Sequence, residues 1–116
     1  MSALNLSNAE IIARMVTVPV SLSATDAALA IAAARTGLVP VLVMERLTAT
    51  GTYTVAYESP AATAITGADT INAGGTLEKE VGQTLVKGAS GSALVMNATK
   101  SSGNLTGYVG YIYISA

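Results

Sequence analysis

GTYTVAYE, residues 51–58, decides the fold. Behind Gly51, the side chains of Tyr53, Val55 and Tyr57 fall on one side of an extended chain, and Thr52, Thr54, Ala56 and Glu58 fall on the other. Side chains alternate faces along a strand, so this pattern reads as a β-strand with one buried face. Ser59-Pro60 closes it. Working towards the C-terminus, ATAIT leads to Gly67-Ala-Asp69, Thr70-Ile71 and the turn Asn72-Ala-Gly-Gly75. In Thr76 to Val81, Leu77, Lys79 and Val81 oppose Glu78 and Glu80. Thr84 to Lys87, Ser92 to Thr99 and Leu105 to Ser115 extend the series, and in the last of these Tyr108, Gly110, Ile112 and Ile114 alternate with Val109, Tyr111 and Tyr113.

Working towards the N-terminus, Leu38 to Leu47 is an apolar, β-rich run. In Met15 to Leu22 the row Val16, Val18, Val20, Leu22 opposes Thr17, Pro19 and Ser21, which predicts an edge strand, because proline cannot donate to a ladder. Between these two strands, Thr25-Asp26 offers a helix N-cap, AALAIAAAR follows, and Gly37 offers a stop. Alanine is the best helix former, so a short helix is expected near residues 26–35. The first fourteen residues read as an N-terminal arm, with a capping-box spacing of Ser7 and Glu10 ahead of Ile11-Ile12 that allows one or two helical turns. Turn signals recur about every eight to twelve residues, as in all-β sandwiches. The expectation is a single domain over residues 1–116: an arm over 1–14, and over 15–116 an antiparallel β-sandwich of jelly-roll type, with about eight strands and one short helix.

Composition narrows the function. Half of the 116 residues are apolar (51 %), 11 % are charged and mean hydropathy is +0.52, whereas an ordinary soluble domain is about a quarter charged. That excludes intrinsic disorder. With no cysteine and no histidine, no disulfide, thiolate metal site or imidazole base is available. A net charge of −1 leaves no basic footprint for nucleic acid. The apolar run Ala27 to Met44 has spanning length but holds Arg35, Gly37 and Pro40; a central charge costs about 2.5–3.5 kcal/mol on insertion scales, so no membrane span is expected. The first ten residues contain Glu10 and no Lys or Arg, unlike a signal peptide. There are 21 alanines and 14 threonines against five tyrosines and no Phe or Trp, a make-up suited to the thin core between two sheets. So few charges leave much apolar surface outside, which points to contacts with copies of the chain or with another protein.

Candidate chemistry is sparse. Glu78 and Glu80 share a strand face and could hold Ca²⁺, with Asp69 a conceivable third oxygen; a solvated face whose charges discourage edge pairing is the favoured reading. Lys87-Gly-Ala-Ser-Gly-Ser92 has the small residues of a phosphate cradle without the ordered motif or a following helix, and is read as a turn. A serine nucleophile lacks a histidine base and a GxSxG elbow. Tyr53 with Tyr57, and Tyr111 with Tyr113, could stack on sugars or anchor an interface; half-buried cross-strand pairs are the favoured reading. No enzyme, metal or cofactor is expected.

The chain from Leu38 onward carries a Gly-led apolar strand (GLVPVLVMERL), a T-Y-T-V strand, the turns Ile65-Thr66-Gly67 and Ala73-Gly74-Gly75, a G-x-A-L-V-M-N strand (Gly91 to Asn97) and S-G-N-L-T-G-Y-V-G-Y (Ser102 to Tyr111). In these turns and strands it resembles the capsid decoration, or cement, proteins of tailed bacteriophages. The resemblance implies a structural virion protein, made in the host cytoplasm, that binds the major capsid protein on the outer surface of a phage head and strengthens the shell. It brings no catalytic residue. A homodimer or homotrimer is expected, with Leu4, Leu6, Ile11 and Ile12 of the arm as the partner contacts. The alternative is a fibre-tip or carbohydrate-binding module that uses surface tyrosines.

Overall fold

The computed structural model describes residues 6–60, 62–81, 83 and 86–116. After a short helix, α1 (Asn8–Arg14), the chain is built of strands: β1 (Val16–Leu22), β2 (Asp26–Ala32), β3 (Leu38–Ala49), β4 (Tyr53–Glu58), β5 (Asp69–Ile71), β6 (Thr76–Lys79), β7 (Val86–Lys87), β8 (Leu94–Lys100) and β9 (Leu105–Ser115). One sheet has the order β1-β9-β3-β6, with β7 also on β3, and the other has the order β2-β8-β4-β5. Every pairing is antiparallel. The first four strands thus pair with later ones in reverse sequence, as when a long hairpin is wound into a barrel-like sandwich. This is the jelly-roll order.

The alternating rows point as expected. Tyr53, Val55 and Tyr57 are buried between the sheets with Leu42, Leu47, Leu94, Met96, Leu105 and Val109. Strand β1 lies on a sheet edge, with Pro19 exposed opposite Tyr108. The Asn72–Gly75 turn closes on a hydrogen bond from the Gly75 amide to the Asn72 carbonyl (2.8 Å).

The helix expected near residues 26–35 is not formed. Residues 26–32 are strand β2, paired along β8 from Asp26↔Thr99 to Ala32↔Leu94. Helix propensity is a weak prior that tertiary pairing overrides. As a strand the segment buries Ile31 and Ala32 and packs Leu29 against the core, while Ala28 and Ala30 face outward. The helix belongs to the arm instead. The Ser7 hydroxyl accepts from the Glu10 amide (3.2 Å) and Glu10 accepts from the Ser7 amide (3.1 Å), completing the capping box. The apolar run Ala27 to Met44 is divided between β2 and β3; among the described residues no helix is long and apolar enough to cross a membrane. The strand beyond the eight expected is therefore β2; of the expected strand Thr84 to Lys87, Val86 and Lys87 form β7, and Thr84 and Leu85 lie outside the described residues.

One irregularity positions side chains. Along β9, β3 keeps register from Leu38↔Ser115 to Leu42↔Tyr111, then inserts one extra residue, so that Met44 meets Gly110 and Glu45 meets Val109. Such a bulge swaps the faces of every later residue. Val39 and Val41 before it and Val43 within it face outward; after it Glu45, Leu47 and Ala49 face inward.

Candidate functional site

The arm is the first candidate. Ile11 is 1 % exposed and packs on the outer face of its own sheet, against Val39, Val41, Val43 and Ile112. It covers its own sheet: an amphipathic turn beside a strip of branched side chains buries its apolar face there. Leu6 and Met15 pack partly on the same strip. Ile12 points away and is 57 % exposed, and Leu4 lies outside the described residues. Gly110 makes this seating possible, since a Cβ on it would overlap Met15 Sδ and lie 2.8 Å from Met44 Cγ.

The second candidate carries no motif in the sequence. Glu45, 1 % exposed, is turned inward by the bulge, and the Tyr57 hydroxyl of the opposite sheet donates to its Oε2 at 2.6 Å. Lys79 Nζ on β6 stands 3.8 Å from Glu45 Oε1 and donates to Asp69 Oδ2 of β5 at 3.2 Å. Two polar ties thus cross the sandwich at one edge. Burial pushes the Glu45 carboxyl above its ordinary range, opposed by the Tyr57 hydrogen bond and the Lys79 charge. Burial also raises the Tyr57 hydroxyl, with the Glu45 charge adding to it. A cavity of about 330 Å³ opens beside these groups, lined also by Thr66, Gly67, Ala68 and Val86. The available signal is a single glutamate inside an apolar strand; its inward direction depends on the bulge, which periodicity does not report.

The carboxylates of Glu78 and Glu80 behave differently. Both bind Arg46, Glu78 at 3.0 Å, while Asp69 is engaged by Lys79. Among the described residues no group of three acidic side chains could hold a metal. The segment Lys87-Gly-Ala-Ser-Gly-Ser92 is a turn whose amides bind inside the protein: Gly88 to the Pro40 carbonyl, Gly91 to the Leu38 carbonyl and Ala89 to Ser59 Oγ. Tyr53 and Tyr57 are core residues. Tyr111 and Tyr113 meet edge to face at 5.5 Å and pack against the core, with Arg35 5.0 Å above the Tyr113 ring.

The third candidate is the outer face of the β2-β8-β4-β5 sheet. Register sets Ala28, Asn97 and Ala56 in one row, Ala30, Val95 and Glu58 in the next, and Asp26, Thr99, Thr54 and Thr70 in a third. The side chains are short and, apart from Asp26 and Glu58, uncharged. No family model, curated protein or solved structure matches this chain.

Proposed function

We propose that this protein is a structural virion component, a capsid decoration or cement protein that binds the outer surface of a phage head and stabilises the shell. The observation that carries the reading is the flat, small-residue outer face of the β2-β8-β4-β5 sheet. It offers area with little bulk and, apart from Asp26 and Glu58, without charge, suited to lying against another flat protein surface. The charge-poor composition and the jelly-roll order support the same reading. The partner is the major capsid protein, and a homodimer or homotrimer would multiply weak contacts by avidity. Recognition of glycans through Tyr53 and Tyr57 gains nothing here, because both are buried.

The test is co-sedimentation of the purified protein with empty heads assembled from the major capsid protein encoded in the same genome. Saturable binding that raises the melting temperature of the heads, and that changes little between low and high salt, is expected. Heads that sediment bare at every protein concentration, or a genome with no capsid gene, would overturn the proposal.

A further inference from the structure

Three features meet at the edge of the sandwich where β6 stops at Lys79 and β7 begins at Val86. The bulge in β3 turns the Glu45 carboxylate inward, the ladder along β3 passes from β6 to β7, and a cavity of about 330 Å³ opens there. Bulges often re-aim a side chain towards a site, and a buried carboxylate is costly enough to call for a reason. The volume is at the small end of the range of about 300–1,000 Å³ typical of ligand pockets.

The hydrogen-bonding capacity left in the cavity defines the guest. Glu45 Oε1 has Lys79 Nζ at 3.8 Å, too far for a hydrogen bond, and Asp69 accepts from Lys79 through Oδ2, leaving Oδ1. Lys79 has three donors, one of which is engaged by Asp69. Thr66 Oγ1 accepts from the Tyr57 amide (3.0 Å) and keeps its own proton to donate. Acceptors and donors therefore interleave around one small space. An anionic guest would meet two carboxylates against one ammonium, and a cationic guest would have to displace Lys79 from both. Neutral groups that donate and accept at once are hydroxyls and carboxamides, and of these only hydroxyls can crowd several donor-acceptor atoms onto one small carbon frame. Ala68 and Val86 supply an apolar wall for the C–H face of such a guest.

We propose that this cavity binds a small neutral polyhydroxyl ligand of the monosaccharide class, held by Glu45, Asp69, Lys79 and Thr66. The site is independent of what the outer sheet faces bind. The experiment is titration of the ¹⁵N-labelled full chain with a panel of hexoses, followed by amide shifts. The expected result is saturable millimolar binding that shifts Thr66, Gly67, Asp69 and Lys79. Asp69→Asn should weaken it by about tenfold, the loss of one charge-assisted hydrogen bond, while Glu78→Gln on the opposite face of β6 leaves it unchanged. No shifts with any hexose would overturn the proposal, and the wild-type titration alone can deliver that result. So would shifts confined to other surfaces, equal affinity in Asp69→Asn, or binding of methylammonium in place of the sugars.

Discussion

The two sheets differ in what stands on their outer faces. Behind β1-β9-β3-β6 stand Val39, Val41, Val43 and Ile112, and α1 lies over them with Ile11 buried. Behind β2-β8-β4-β5 stand Ala28, Ala30, Ala56, Thr54 and Thr99, and among the described residues no helix lies on them. Apolar burial is worth about 25 cal/mol per Å². Branched side chains offer enough area to hold a short helix in place, and alanines and threonines do not. Both sheets have buried inner faces, so the contrast comes from the outward rows alone. One face is closed by its own chain, and the other is left flat and open.

The largest effect should come from the core that both sheets share. Leu47→Ala, at a fully buried position, should cost about 3 kcal/mol, read by denaturant titration; a loss below about 1 kcal/mol would mean that the sheets are not packed through this residue. Next comes the covered face. Ile11→Ala should cost about 2 kcal/mol, at the low end for such truncations because the arm can release as a unit. Hydrogen exchange should then quicken in residues 8–14 and not in β4 or β8; uniform quickening would show that the arm is integral to the sandwich.

A smaller effect is expected from pH, because Tyr57 and Lys79 offset part of the burial cost at Glu45. The folded protein holds a proton on Glu45 at pH values where the unfolded chain has released it. This contribution to stability is therefore complete below the ordinary glutamate range and is lost as pH rises through the elevated folded value. Melting temperatures of Glu45→Gln against wild type across that interval isolate the contribution. The wild type should gain on the variant as the solution is acidified, and parallel curves would contradict the raised carboxyl. The smallest stability change belongs to the open face: Ala56→Lys should stay within about 0.5 kcal/mol of wild type yet abolish sedimentation with phage heads. Retained binding would move the docking face elsewhere.

How far the sequence is legible follows from the same contrast. Tyr53, Val55 and Tyr57 against Thr54, Ala56 and Glu58 can be read directly, because one face meets the core and the strand has no irregularity. Ser7 with Glu10 is equally readable, since a capping box is a local hydrogen-bond pattern. Residues 26–32 read as helix because alanine suits a helix by itself, and what makes them a strand is β8, far away in sequence. Glu45 is not legible, because its direction is set by one inserted residue in β3. Ile11 reads correctly as apolar and in need of cover, but the strip that covers it is assembled from β3 and β9, which only the fold brings together.

The position of β9 has a consequence for synthesis. This last strand lies between β1 and β3 and is bonded to both, with Val16 beside Tyr111 and Leu38 beside Ser115. A nascent chain still holding residues 105–115 in the ribosomal tunnel lacks both the neighbour of β1 and the middle of that sheet. Folding must therefore wait for release of this segment and then close contacts almost the whole chain apart, which places it among the slow, high-contact-order folders. Until then Val39, Val41 and Val43 have no finished sheet to sit on, and the unfinished chain is at its most prone to aggregate.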